Sequence, residues 1–183
     1  MQAGDPAVGK SAIVQMFSSS GQRFPKTYQM TCGVEFVSKQ VPIPDSEVSV
    51  ELHIFDTGGQ DLFSEMLPAF WKGGSAVMLV YDVARPHTFE ACRSWFQRIQ
   101  EAVQPQQPMP GVLVANKTDV GDRAAVPRAE GMQLAQEMRL QYAETSAKDG
   151  YGVEEPFKLI AAAIKRSFDA RQEMGALGGG EEY

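Results

Sequence analysis

Hydrophobic and polar positions alternate along this chain with two different periods. Residues 11–17 follow a glycine-rich opening and read as a short helix. Residues 33–41 alternate, with Val34 and Phe36 set against Glu35 and Val37, and predict a strand. Residues 42–47 carry turn chemistry, and residues 48–55 alternate again with Val48, Val50, Leu52 and Ile54 on one face. The two stretches predict an antiparallel pair with a short connection. Residues 76–81 and 112–115 are continuous apolar runs. Such runs suit strands buried on both faces of a mostly parallel sheet. Residues 140–143 predict a last short strand. Between these runs the period changes. Phe89, Cys92, Phe96, Ile99 and Val103 recur at three and four, as do Phe157, Ile160, Ala161, Ile164 and Phe168, the spacing of amphipathic helices. Pro86 and Pro127 stand where helices begin.

This order predicts one three-layer α/β domain over residues 1–170 and a flexible tail over 171–183, where periodicity fades and Gly178-Gly179-Gly180 appears. Ligands of such sheets bind at the carboxyl ends of the strands. The chain's 183 residues suffice for a substantial core, and its 43% hydrophobic and 22% charged content is that of a globular domain. The net charge of −6 argues against a nucleic-acid partner and against adhesion to anionic lipid. Cys32 and Cys92 form no close pair, which fits a reducing compartment. No apolar run is long enough to span a bilayer.

Gly4-Asp5-Pro6-Ala7-Val8-Gly9-Lys10-Ser11 fits the spacing G-x-x-x-x-G-K-[ST]. Glycines let the backbone curl so that successive N–H groups, from Gly4, Asp5, Ala7, Val8 and Gly9 onward, face phosphate oxygens. The helix that follows adds the positive end of its dipole. Lys10 can reach the outer phosphates, and the Ser11 hydroxyl can ligate Mg²⁺. Asp56-Thr57-Gly58-Gly59-Gln60 follows a strand. Asp56 is placed to hold Mg²⁺ through water, the Gly59 N–H to bond a terminal phosphate, and Gln60 to orient an attacking water. Thr31, just before a strand, offers a hydroxyl to the same ion. Asn116-Lys117-Thr118-Asp119 follows another strand. The Asp119 carboxylate matches the N1–H and 2-amino donors of guanine. Adenine lacks that donor pair and would leave the carboxylate unpaired. Lys117 can lay its methylenes along the purine, and Asn116 ties loops together. Ser146-Ala147-Lys148 follows the last strand; the Ala147 N–H can read the guanine O6, and Lys148 can cover the ring. Each motif alone also has a plain reading as a turn or polar loop. Their shared order, each at a strand end, is what decides between the readings.

With these motifs the stretch from Gly4 to Phe168 resembles a Ras-superfamily small GTPase. Cys32-Gly33-Val34-Glu35-Phe36 and Leu52-His53-Ile54-Phe55-Asp56-Thr57 resemble its Rab branch. The nearer likeness is to the Rab-like GTPase subunits of the intraflagellar transport B complex. It is carried by the opening loop, Ser49-Val50-Glu51-Leu52, Leu62-Phe63-Ser64-Glu65-Met66-Leu67 and the run from Pro110 to Asp119. The resemblance implies a P-loop NTPase fold with a mostly parallel six-stranded sheet. It implies a switch that binds GTP or GDP with Mg²⁺ and hydrolyses GTP slowly, with Gln60, Lys10 and Thr31 in catalysis. It implies Phe24 packing edge-on against guanine, and Phe36, Phe55 and Phe70 as a cluster that partners read, although burial in the core is the commoner fate of Phe36 and Phe55. It implies a small β-sandwich subunit as heterodimer partner within the transport complex, and a place in the cytoplasm, the cilium and its base. The last cysteine is Cys92, so no direct lipid anchor is expected. A structural subunit whose fold the nucleotide completes, or an endomembrane Rab with a different C-terminus, fits the same motifs.

Two departures carry expectations. Pro6 stands where many of these proteins have glycine, which stiffens the loop, and Gly58 replaces the usual alanine. In this family a mid-sheet strand precedes the loop, whereas here only Met1-Gln2-Ala3 do. That strand is therefore expected to be missing, its neighbours' inner edges unpaired, and the chain prone to fold poorly.

Overall fold

A computed structural model of the chain describes residues 1–178 apart from 28, 45 and 61–64, with side chains described as far as residue 172. The chain runs through β1 (Gln2–Ala3), α1 (Lys10–Ser18), β2 (Val34–Pro42), β3 (Ser49–Thr57), α2 (Leu67–Trp71), β4 (Val77–Asp82), α3 (Pro86–Val103), β5 (Gly111–Asn116), α4 (Arg128–Glu137), β6 (Gln141–Thr145) and α5 (Glu155–Gly178). The strands form one six-stranded sheet in the order β2-β3-β1-β4-β5-β6. All neighbours are parallel except β2 and β3, which pair antiparallel from Val34↔Thr57 to Pro42↔Ser49.

Strand alternation divides the core into two. In β4, Met78 and Val80 face the layer of α1 and α5, where they meet Ile13, Val14, Phe17, Phe157 and Ala161. Val77, Leu79 and Tyr81 face the opposite layer and meet Leu67, Trp71, Cys92, Trp95 and Leu134. Every residue of β4 and β5 is buried, as their unbroken apolar runs require. Pro86 opens α3, where its missing N–H is harmless, and the helix buries the stripe Thr88, Cys92, Trp95, Phe96 and Ile99.

The first strand is present, and that expectation is corrected. It is a stub of two residues. Gln2 pairs with Asp56 on one side and Met78 on the other, and Ala3 pairs with Leu79. The stub holds because both neighbours supply partners. The Thr57 hydroxyl donates to the Gln2 carbonyl at 2.6 Å, and the Met78 N–H donates to the Met1 carbonyl at 2.9 Å. Beside it lies a cavity of about 410 Å³, lined by Leu52, Ile54 and Phe157 but also by Phe55 and Phe70.

The tail expectation is also corrected, because α5 continues past Arg171 to Gly178. The glutamine, glutamate, methionine, alanine and leucine of that stretch favour helix without an apolar stripe. Residues 179–183 lie outside the described residues.

The Met1 ammonium is buried and donates to the Ala76 carbonyl at 3.0 Å. Burial lowers its pKa from 8.0 to about 6.

Candidate functional site

Residues 4–9 connect β1 to α1 and pack against the sheet so closely that two glycines are obligatory. A Cβ on Gly4 (φ +143) would lie 2.2 Å from the Val80 carbonyl oxygen, and one on Gly9 (φ +103) 2.1 Å from Asn116 Nδ2. Lys10 folds back into this loop and donates from Nζ to the Gly4 and Asp5 carbonyls at 2.8 and 2.9 Å. Burial lowers its pKa to about 8, against the pull of the nearby Asp56 and Asp5 carboxylates. Val8 is wholly buried and anchors the loop in the core. The Asp5 side chain accepts the indole N–H of Trp95 at 2.8 Å, which joins the loop to α3. Trp95 in turn meets Trp71 of α2 edge to face, with ring centroids 6.2 Å apart.

Ser11 and Thr31 come together, their hydroxyls 2.7 Å apart. Asp56, at 1% exposure, stands against both. Burial raises its pKa to about 6, and the Ser11 and Thr31 hydroxyls and the Lys10 charge oppose the rise. Its Oδ1 has no hydrogen-bond partner. A buried, unsatisfied carboxylate oxygen beside two hydroxyls is an all-oxygen donor set that fits a hard divalent cation such as Mg²⁺.

Gly59 is held against the loop: a Cβ there would sit 2.4 Å from the Gly4 oxygen and 2.6 Å from the Asp5 carbonyl carbon. The Gly58 N–H bonds the Gly33 carbonyl at 2.8 Å, tying the segment after β3 to the one before β2. Residues 61–64 lie outside the described residues, including Leu62, Phe63 and Ser64 of the resemblance. A cavity of about 540 Å³ opens between these segments. Lys10, Ser11, Phe24, Thr31, Gln60 and Lys117 are among its lining residues. Its lining includes Lys10, Lys26 and Lys117 and no carboxylate among the described residues. It is locally cationic in a chain of net charge −6, which suits an anion.

The base-side residues adjoin this cavity at Lys117. The Asn116 side chain is buried and makes the decisive links. Its Nδ2 donates to the Val8 carbonyl at 2.7 Å, and its Oδ1 accepts from the Thr145 hydroxyl at 2.9 Å and from the Ala147 N–H at 3.3 Å. Asp119 accepts from the Ser146 hydroxyl at 2.9 Å, and Lys148 lies 3.6 Å from its other oxygen. Lys117 has a left-handed backbone, φ 68, and pairs with Asp82 at 2.7 Å. Of the sequence-predicted residues, Lys10, Ser11, Phe24, Thr31, Gly59, Gln60 and Lys117 are among those lining the cavity, while Asp119, Ser146, Ala147 and Lys148 gather around Asn116 next to Lys117. The aromatics differ from the usual core fate. Phe36 is 57% and Phe70 43% exposed, and the half-buried Phe55 leans on Phe36 at 5.4 Å. Phe36 is exposed because β2 is an edge strand and its outer face carries no helix.

The match to known proteins follows this geometry. Residues 2–166 match the Ras family. The chain belongs to the Ras family. Relatives within it include the human "Intraflagellar transport protein 27 homolog", 42% identical over 94% of this chain and 92% of the relative. The Chlamydomonas reinhardtii "Intraflagellar transport protein 27" is 40% identical over 91% and 83%, and the Trypanosoma brucei brucei homolog 36% over 93% and 91%. As a Ras-family member the chain has a GTPase domain, and the fold expected from its sequence is the one found. Sequence reading missed three residues of this site: Asp82, Arg85 and Trp95. A carboxylate ending a buried strand at the ligand-facing edge was the available signal for Asp82. Trp95 gave none, since its partner Asp5 is distant in sequence, and Arg85 gave only its spacing of three from Asp82, its contact with Pro6 being distant.

Replacing Asn116 with alanine removes its bonds and leaves the Val8 carbonyl without its side-chain partner. Urea unfolding should show a loss of roughly 2–4 kcal/mol, from the lost bonds and the buried groups left unpaired.

Proposed function

We propose that this protein is a Rab-like guanine-nucleotide switch that serves intraflagellar transport. The supporting observation is the convergence of the phosphate loop, the Ser11–Thr31–Asp56 corner and the Asn116–Asp119 base reader at one edge of one sheet. The phosphate loop's N–H groups and Lys10 hold the inner and outer phosphates. Ser11, Thr31 and Asp56 would hold Mg²⁺, which when bound would neutralise charge on the phosphates. The Gly59 N–H meets the terminal phosphate, and Gln60 orients the water that attacks it. Asp119 and the Ala147 N–H read the guanine edge, while Lys117, Lys148 and Phe24 enclose the ring. GTP orders the segments around Thr31 and Gly59, and its hydrolysis to GDP and phosphate releases them.

Hydrolysis without help is slow in this reading. Arg85 stands at the phosphate loop, but Asp82 and the Pro6 carbonyl engage its guanidinium. No arginine is therefore assigned to the reaction in cis, and an activator's arginine is worth roughly 10³–10⁵ in rate. The relatives' names support a role in ciliary transport. No helix among the described residues is long and apolar enough to cross a membrane. In our reading the protein joins the transport B complex through a small β-sandwich subunit. The exposed Phe36–Phe55–Phe70 face is the surface we assign to partners.

Calorimetry should find heat with GDP and GTP and none with ATP. Asp119→Ala should lose most of a guanine preference of roughly 10⁴-fold. Absence of heat with both guanine nucleotides would overturn the reading. Single-turnover phosphate release should be slow, and rapid release by the isolated protein would reject the need for an activator.

A further inference from the structure

Asp82 ends β4, and its side chain is 4% exposed. One of its oxygens, Oδ2, meets two cations: Lys117 Nζ at 2.7 Å and Arg85 Nε at 2.9 Å. Its other oxygen accepts the Ala84 N–H at 3.0 Å. The backbone beneath it is fixed, because the Asp82 N–H donates to the Thr88 hydroxyl at 3.0 Å. Arg85, at the start of α3, extends Nη2 to the Pro6 carbonyl at 3.2 Å. Pro6 belongs to the phosphate loop, and Lys117 lines the base end of the cavity. One buried carboxylate therefore touches, through one cation each, the two ends of the nucleotide cavity.

The chemistry suits that task. Burial pushes the Asp82 carboxyl up, but the Lys117 hydrogen bond, the Ala84 N–H and Arg85 hold it below the usual carboxylate range, so it is ionised. Lys117 and Arg85 are like charges drawn to one oxygen, and only an anion between them lets both stay. Charge-assisted bonds of this kind are shorter and stronger than neutral ones. Removing Asp82's charge frees the Lys117 head and the Arg85 fork together.

We propose that Asp82 is a positioning residue that couples the base end of the site to the phosphate end. Through Lys117 it sets the methylene stem against the purine, and through Arg85 it braces the Pro6 carbonyl and the curl of the phosphate loop. It touches no ligand. This inference rests on the nucleotide reading above.

The test follows release of tritiated GDP from loaded full-length protein in Mg²⁺ by filter binding. Only folded, loaded molecules report. Asp82→Asn keeps the shape and the bond to Ala84 but loses the charge, and it should speed release about tenfold. The same substitution should have no further effect in an Arg85→Gln, Lys117→Met background, which has lost both cations yet retains the stem over the purine. An unchanged rate for Asp82→Asn alone would overturn the proposal. So would an equal acceleration in both backgrounds, which would mean that the carboxylate supports the fold locally and does not act through its cations. If the wild-type protein takes up no GDP, the nucleotide reading itself fails. If it takes up GDP and Asp82→Asn does not alter release, only the coupling fails.

Discussion

One buried amide holds the site together. Asn116 lies at the end of a central strand and reaches the phosphate loop, the end of β6 and the loop that follows it. Thr118 and Asp119 add bonds to Thr145 and Ser146, but among these described contacts only the Asn116 side chain also reaches the phosphate loop. The tight approach of Gly9 to Asn116 is the steric counterpart of these bonds. The loop can lie so near only because glycine has no side chain, and it stays there because the amide binds it. Everything that grips phosphate is thereby referenced to everything that reads the base.

Much of this was legible in the sequence because the determinants are local. A glycine-lysine-serine run, a strand-ending Asp-Thr-Gly-Gly and a strand-ending Asn-Lys-Thr-Asp each carry their own backbone geometry. Alternation and unbroken apolar runs placed β2 to β6 within about two residues, and the sequence placed α1 and, with Pro86, α3; α2 gave no signal. What escaped depended on distant partners. Nothing local tells that Asp5 accepts from Trp95, that Asp82 holds Lys117, or that Arg85 reaches Pro6. The stub β1 escaped because two residues carry no pattern, and they form a strand only since both flanking strands are already in place. Phe36 escaped because alternation tells which residues share a face, not whether a helix covers it. The far end of α5 escaped because propensity there continues after amphipathicity ends.

Electrostatics in this molecule is organised locally against its overall sign. The chain is acidic, yet the cavity lining gathers Lys10, Lys26 and Lys117 without a carboxylate among the described residues. Asp56, Asp82 and Asp119 stand behind that lining rather than on it. Each faces a donor or a cation, and Asp56 alone among them keeps an unsatisfied buried oxygen. Acidic residues here orient cations toward the cavity and leave one position for another cation to fill.

The indole of Trp95 and its edge-to-face neighbour Trp71 have a practical consequence. They are the only tryptophans in the chain. One is hydrogen-bonded to the phosphate loop, and the other lies in the short helix downstream of Gly59. Emission excited selectively in the indole band therefore comes from a pair standing between the loop that grips phosphate and the segment expected to change with nucleotide state. The protein carries its own optical reporter, readable without any attached dye.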